Sequence, residues 1–175
     1  MAITFPKLAP DLTGDLVRLS QLNESVIAPY IEMISDPEVA FWTASSETFT
    51  EEQLLNWLKS RPGAPERLDW GIFDVTSGEF AGEVVLNEYK PDEDSLNLRI
   101  ALRSQMSSRG FGTQAVKLVC DFAFEELKIQ RITLDVLATN ERAIRSYFKV
   151  GFTKYSEVIE SGSVFHLMEL RASKG

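Results

Sequence analysis

The chain has 175 residues, of which 44% are hydrophobic and 25% are charged, values that are ordinary for a folded globular protein. This length predicts one domain over residues 1–175. The net charge of −8, from 26 acidic and 18 basic residues, argues against nucleic-acid binding, which requires a basic face. No apolar run is long enough to cross a membrane and the N-terminus lacks a signal-peptide layout, so we expect a cytoplasmic protein without membrane contacts.

The sequence contains one cysteine and one histidine. Cys120 falls within a helix-like run, which favours a small buried side chain over a reactive thiol. His166 falls in a strand-like run, and we interpret it as structural because a metal site or a Ser-His-Asp triad requires more partners. No bound metal is predicted.

The first fifty residues predict a strand, a helix and an irregular loop. Residues 14–19 are apolar enough for a short strand. Residues 24–35 carry an apolar stripe at helical spacing, and Asn23 is placed to cap that helix. Residues 39–49 show no period but hold aromatic side chains among hydroxyl residues. Such a loop either packs as a lid or lines a pocket.

The next forty residues predict a helix and a β-hairpin. Thr50 and Gln53 form a capping box, which marks the start of a helix that ends before Pro62-Gly63. Residues 70–75 and 80–89 are strand-like and flank a turn, as in a hairpin.

The second half of the chain alternates strands and helices. The predicted elements are a strand at 95–103, a helix at 112–127, a strand at 131–137, a helix at 141–150, and a hairpin of residues 152–160 and 163–171. The two strands on either side of the longer helix are expected to pair in parallel across that crossover. This order predicts a mixed α/β domain with helices packed on a central sheet.

A glycine-containing turn joins the strand at 95–103 to the longer helix, with the sequence Ser107-Ser108-Arg109-Gly110-Phe111-Gly112-Thr113. The two glycines allow close approach of a ligand to the backbone, and the helix start offers unpaired N–H groups and a positive dipole. Those features suit a phosphate or pyrophosphate. The same pattern also occurs in tight strand-to-helix turns without a ligand, so both interpretations remain open. If phosphates do bind, we expect a side chain at Gly112 to occupy their space.

A second informative stretch begins at Asn140, the predicted cap of the short helix. At 100° per residue, Asn140, Ala143 and Tyr147 share one face, where the small alanine leaves a shallow polar groove. Alternatively, Tyr147 is only a half-buried aromatic residue with a solvated hydroxyl.

Together the two stretches resemble the GCN5-related N-acetyltransferase (GNAT) superfamily, and within it the ribosomal-protein-type N-terminal acetyltransferases. The first family motif, (Q/R)-x-x-G-x-(G/A), is matched by Gly110 and Gly112. The second motif, N-x-x-(A/S)-x-x-x-Y-x-x-x-G-F, is matched in full by Asn140, Ala143, Tyr147, Gly151 and Phe152. The resemblance covers residues 14–170. The loop departs from the family pattern at Ser107 and Ser108, where relatives have Gln or Arg and then Gly.

The resemblance implies an α/β fold with a mixed, mostly antiparallel sheet that is splayed at the cofactor site and flanked by about four helices. It implies direct transfer of an acetyl group from acetyl-CoA, as co-substrate, to a primary amine. The pantetheine arm would pair like an extra strand with the end of the strand at 95–103, and the loop amides would hold the pyrophosphate. The implied cofactor-binding residues are Ala101, Leu102, Arg103, Ser107, Ser108, Arg109, Gly110, Phe111, Gly112, Thr113, Asn140 and Ala143.

The resemblance also implies catalytic roles. Tyr147 would donate a proton to the departing CoA thiolate, and Asp135 would accept a proton from the amine. Glu83 and Glu88, on the preceding hairpin strand, are rival bases, and a chain of water molecules is a further alternative.

The acceptor stays open between a protein N-terminus, a polyamine, an amino-sugar antibiotic and a small metabolite amine. The acidic balance and the aromatic loop favour a cationic amine. The competing class is a catalytically weak CoA-binding or sensor module of the same fold, which the departures at Ser107 and Ser108 would suit. A homodimer is left open as well.

Overall fold

The computed structural model describes residues 2–173 and has one mixed sheet flanked by helices. The strands are β1 (Leu12–Thr13), β2 (Val17–Gln21), β3 (Leu68–Asp74), β4 (Phe80–Lys90), β5 (Ser95–Leu102), β6 (Arg131–Leu137), β7 (Thr153–Glu160) and β8 (Ser163–Arg171). The helices are α1 (Ile27–Ser35), α2 (Pro37–Trp42), α3 (Glu51–Lys59), α4 (Phe111–Glu125) and α5 (Glu141–Val150).

The eight strands follow the order β1-β2-β3-β4-β5-β6-β8-β7 across the sheet. Neighbouring strands are antiparallel except for β5 and β6, which are parallel and joined by the crossover helix α4. The predicted fold class, both hairpins and the parallel pair are confirmed. The extent of the domain over residues 1–175 stays a prediction.

The irregular loop predicted for residues 39–49 is partly wrong, because its first residues belong to α2. Asp36 caps this helix by accepting a hydrogen bond from the Glu38 N–H at 2.9 Å. Proline is favourable at the first helical position, where its missing N–H has no partner to lose, so Pro37 ends one helix and opens the next. Residues 2–173 therefore contain five α-helices rather than about four. The capping box of Thr50 and Gln53 is confirmed.

Two apolar clusters lie on opposite faces of the sheet. On one face, α4 packs Val116 and Val119 against strand residues such as Trp70 and Leu98. Cys120 lies in this core, as predicted, and burial raises the pKa of its thiol. Between residues 2 and 173, no helix has the length and apolar content needed to span a membrane.

The opposite face is covered only at the β2–β4 end. There α1 and α3 pack residues such as Tyr30, Met33 and Leu58 against Phe80 of the sheet. Because these helices stop at that end, the sheet face over β5 and β6 remains open.

Candidate functional site

A gap between β5 and β6 defines the centre of the candidate site. The two strands pair at only three positions: Ser95 with Arg131, Leu96 with Ile132 and Asn97 with Thr133. Beyond those positions β5 continues to Leu102 and β6 to Leu137 without further pairing. The predicted splaying of two parallel strands is therefore present, and it opens toward the start of α4.

The sheet register identifies the backbone groups that face the gap. Arg103 donates its backbone N–H to Ala81 of β4 at 2.8 Å, and backbone groups along a strand alternate between its two edges. The N–H and C=O groups of Ile100 and Leu102 therefore face the gap, whereas those of Ala101 and Arg103 face β4. Ala101, Leu102 and Arg103 were expected to pair with a ligand arm, but only Leu102 has its backbone groups turned toward the gap. The backbone groups of Ile100, which was not predicted, also face the gap.

The opposite edge of the gap is the backbone of Asp135. Ala138 donates its N–H to Val164 of β8 at 2.9 Å. The backbone N–H and C=O groups of the even-numbered residues of β6 therefore face β8. Odd-numbered residues, Asp135 among them, turn their backbone groups toward β5. Two unpaired strand edges thus flank a space into which an extended, amide-containing chain could insert.

The start of α4 presents several free N–H groups beside this gap. Gly110 has φ +81°, a left-handed conformation that costs glycine little and that breaks the chain direction just before the helix. Gln114 makes the first helical hydrogen bond, to the carbonyl of Gly110 at 3.1 Å. The N–H groups of Phe111, Gly112 and Thr113 have no acceptor within residues 2–173. This arrangement is suited to an anion.

Gly112 lies where the start of α4 packs closely against β5. A Cβ at this position would lie 3.2 Å from Cδ1 of Leu102 and 3.8 Å from Cδ1 of Ile100. It would point into the α4–β5 interface, and whether a side chain here would also occupy phosphate space stays a prediction. Glycine here lets the helix start approach the edge of the gap closely.

Arg142 reaches the turn from the first turn of α5, a contact that the sequence did not predict. Its Nη1 donates to Ser108 Oγ at 2.9 Å and lies 3.4 Å from Ser107 Oγ. The two serines that depart from the family pattern therefore hold a guanidinium beside the free amides. The only signal in the sequence was an arginine two residues after the cap of α5. Arg109, by contrast, packs on its own turn, with its guanidinium 5.9 Å from the Phe111 ring centroid.

Hydrogen bonds join α4 and α5 into one support for the turn. The hydroxyl groups of Thr113 and Ser146 are hydrogen-bonded to each other. Asn140 caps α5 by accepting a hydrogen bond from the Ala143 N–H at 3.2 Å, and Gly151 ends the helix with φ +119°. The helix-capping roles predicted for Asn140 and Gly151 are confirmed, whereas contact of Asn140 and Ala143 with a cofactor stays a prediction.

Tyr147 lies on α5 in the main core, with its ring centroid 5.9 Å from that of Phe152. Its hydroxyl has no hydrogen-bond partner within the described residues, yet the oxygen is not sealed from solvent. Burial raises the pKa of Tyr147, and the negative charge of Asp135 raises it further. The phenol therefore stays protonated at neutral pH, and its unpaired O–H is free to serve another group.

An acidic cleft of about 360 Å³ lies on the open face of the sheet. The carboxylates of Glu88, Asp135 and Glu160 line it together with a single cation, Lys90. Asp135 thus lies at the point where the gap meets this cleft. The cleft has the sign of charge expected for a cationic ligand.

Glu83 projects from β4 on the same face as the cleft. Its Oε2 accepts a hydrogen bond from the Tyr30 hydroxyl at 2.9 Å. Burial raises the pKa of Glu83 to about 7, although the hydrogen bond from Tyr30 acts in the opposite direction. A carboxyl group with this pKa exchanges a proton readily near neutral pH.

Comparisons with known proteins agree with this geometry. Residues 17–153 match the family described as "Acetyltransferase (GNAT) domain". Spermidine N(1)-acetyltransferase of Escherichia coli (strain K12) is 33% identical over 82 residues, a match that covers 47% of this chain and 44% of that enzyme. This chain therefore spans less than half the length of that curated relative.

Two solved structures have the same fold. Spermidine N-acetyltransferase from Vibrio cholerae, solved in complex with CoA and spermine, has a TM-score of 0.82 at 15% identity, covering 90% of this chain and 96% of that chain. The ribosomal-protein-S5-alanine acetyltransferase from Vibrio fischeri has a TM-score of 0.82 at 16% identity, covering 94% and 98%.

The chain belongs to the GNAT acetyltransferase family. The family match spans both strands that border the gap, the turn before α4 and both predicted motifs. The superfamily predicted from the two motifs is confirmed, and a ribosomal-protein acetyltransferase is among the structures of the same fold.

Replacing Arg142 with glutamine tests the anion site. We expect the Kd for CoA to rise at least tenfold (about 1.4 kcal/mol), because a guanidinium next to free amides strengthens phosphate binding. Isothermal titration calorimetry with CoA measures the change. The matched control is Arg171→Gln at the end of β8, where the arginine side chain is 67% exposed and pairs with Glu169. Equal CoA affinity in the Arg142→Gln and Arg171→Gln proteins would show that Arg142 only supports the loop.

Proposed function

We propose that this protein transfers an acetyl group from acetyl-CoA to the amine of a cationic acceptor. The observation that carries the proposal is the gap between β5 and β6, with free backbone groups on both edges and free helix-start amides at its mouth. The pantetheine arm of CoA contains amides that can pair with strand edges, and its pyrophosphate is an anion suited to the start of α4. Acetyl-CoA supplies the activated acetyl thioester.

Several residues would bind and orient the cofactor. The backbone groups of Ile100 and Leu102 would hold the pantetheine arm, and the N–H groups from Phe111 to Thr113 would hold the pyrophosphate with help from Arg142. Binding along a strand edge fixes the direction of the arm, and the arm's thioester end would then lie between β5 and β6. A backbone N–H on the β5 edge is suited to stabilise negative charge that develops on the acetyl oxygen.

Tyr147 is proposed as the proton donor to the sulfur that leaves. Its O–H has no partner among residues 2–173, and its raised pKa keeps the proton in place at neutral pH. A thiolate is the weaker base in water, since thiols have a pKa near 8.5, so the donation depends on close positioning as the carbon–sulfur bond breaks.

The acceptor is proposed to be an amine with at least one further positive charge, as in a polyamine. The cleft beside the gap carries three carboxylates against one lysine, which favours multiply charged cations. Spermidine is the acceptor in the name of the curated relative, and spermine is bound in the structure with the same fold. The cytoplasmic location and a homodimer stay predictions.

Acceptor preference tests this proposal. In a thiol-release assay with acetyl-CoA, we expect spermidine to give a kcat/KM at least tenfold above that of n-butylamine, which lacks the second charge. The advantage should shrink between 0.05 and 0.5 M salt, because the Debye length is only about 10 Å at 0.1 M.

The double variant Glu88→Gln, Glu160→Gln should raise KM for spermidine and leave that for n-butylamine unchanged. A neutral or anionic acceptor that outperforms spermidine would contradict the cationic assignment. CoA binding without thiol release for any amine in a broad panel would instead identify a binding or sensor module.

Replacing Tyr147 with phenylalanine tests the proton donor. The change keeps the ring in the core and removes only the O–H, so we expect kcat to fall by about 10²–10⁴-fold while CoA affinity and melting temperature change little. Tyr89→Phe is the control, because Tyr89 uses its hydroxyl to accept a hydrogen bond from the N-terminal segment. If the Tyr147→Phe protein has near-wild-type kcat, Tyr147 is not the proton donor and its role is structural.

A further inference from the structure

Glu83 occupies a position with few side-chain neighbours along its own row of the sheet. Directly across from it on the adjacent strands lie Gly71 of β3 and Ala101 of β5. The Phe73 and Phe80 rings fill the space above Gly71, so only the small side chain of Ala101 separates Glu83 from the open face over β5. The neighbouring strand β5 is the one whose far edge borders the gap, and strands in a sheet are about 4.8 Å apart. Glu83 therefore lies one strand away from the gap.

The hydroxyl of Tyr30 fixes the carboxylate in that position. Tyr30 is on α1, only 3% exposed, and its O–H donates to Glu83 Oε2 at 2.9 Å. The Tyr30 ring packs near Phe80, with 6.3 Å between ring centroids. An immobilised ring presents its hydroxyl at one point, so Oε2 is engaged. The other oxygen, Oε1, makes no hydrogen bond with the described residues.

A buried ion pair lies behind this arrangement. Arg67 binds Asp69 through two hydrogen bonds of 2.8 Å each, and the Asp69 side chain is 1% exposed. Arg61 Nη1 lies 3.9 Å from the same carboxylate. Asp69 is thus neutralised by arginines and has no free oxygen for a reacting amine, in contrast to Glu83.

We propose that Glu83 is the group that accepts a proton from the acceptor ammonium, directly or through one water, and that Tyr30 is the positioning residue that aims it. This inference rests on the proposed acetyl transfer and assigns a step within it. The sequence analysis offers Glu83 only as a rival to Asp135, and neither motif identifies Tyr30. Asp135, the base implied by the family resemblance, is the competing assignment.

The proton balance of the reaction is complete with these groups. The ammonium of the acceptor gives one proton to Glu83, which later releases it to solvent. The free amine nitrogen forms a bond to the acetyl carbon as the bond from that carbon to sulfur breaks, and Tyr147 protonates the sulfur. The nitrogen, now positively charged, loses its second proton, which restores the hydroxyl of Tyr147.

The charges that face Glu83 determine how its protonation responds to substitution. Burial has the largest effect and raises its pKa, and the charge of Asp69 raises it further. The hydrogen bond from Tyr30 and the positive charges of Arg99 and Arg67 lower it. The positive charge of Arg61, which follows the end of α3, also interacts electrostatically with Glu83. Because the base must be ionised to act, kcat/KM should rise with pH through a value near 7 and then level off.

The test is the pH profile of kcat/KM with spermidine for the wild-type protein and five single-residue variants. Glu83→Gln should lower kcat by about 10²–10⁴-fold and remove the rise near pH 7, with unchanged CoA affinity. Tyr30→Phe should move the rise to higher pH, because the hydrogen bond that favours the ionised carboxylate is lost. Arg99→Gln should move it in the same direction, since an exposed positive charge is removed. Tyr89→Phe, the matched control, should leave the profile in place.

The outcomes separate this inference from the proposed function. If the wild-type protein releases no thiol with any amine, the proposed acetyl transfer is wrong, and the roles of Glu83 and Tyr30 in it are wrong as well. If the wild type is active and Glu83→Gln retains its rate and its rise near pH 7, the assignment of Glu83 is wrong. Removal of that rise by Asp135→Asn, with Glu83→Gln unaffected, would make Asp135 the base. An unshifted profile in a folded Tyr30→Phe protein would show that Tyr30 only packs.

Discussion

The site depends on backbone groups that the sheet leaves without partners. A buried N–H or C=O without a hydrogen bond costs about 1–3 kcal/mol, so sheets normally pair their strands along the full length. Here two central parallel strands separate after Asn97 and Thr133, and the freed groups lie in the interior of the sheet rather than at its rim. Only water or a bound chain can satisfy them. An extended ligand with its own amides is therefore the natural complement of this gap.

Everything else in the site is arranged around the two freed edges. The crossover that makes β5 and β6 parallel is α4, so the helix start necessarily lies at the mouth of the gap. Gly112 allows that start to approach Leu102, and the hydroxyl pair of Thr113 and Ser146 attaches α5 to it. Tyr147 is placed by α5, and the charge of Asp135 acts on it from the β6 edge. Cofactor binding and proton donation thus depend on one rigid unit.

Local sequence signals predicted the parts of the site that local interactions determine. Asn140 caps α5 through a residue three positions away, and Gly110 adopts a left-handed conformation that few residues tolerate, so both are visible in the sequence. Arg142 and Ser108 lie 34 residues apart, and Tyr30 and Glu83 lie 53 apart. Their contacts exist only after the sheet has formed, and no short pattern encodes them. The close approach of Gly112 to Leu102 was hidden for the same reason, because Leu102 belongs to another element.

The most direct measurement of the central claim is residue-resolved amide hydrogen exchange by NMR, with and without CoA. The account predicts that the amides of Leu102, Phe111 and Thr113 exchange rapidly in the free protein and become protected when CoA binds. The Arg103 amide, which already bonds to Ala81, should be protected in both states. If CoA binds and the amides at the gap and the helix start keep their exchange rates, the cofactor lies elsewhere and the account is contradicted.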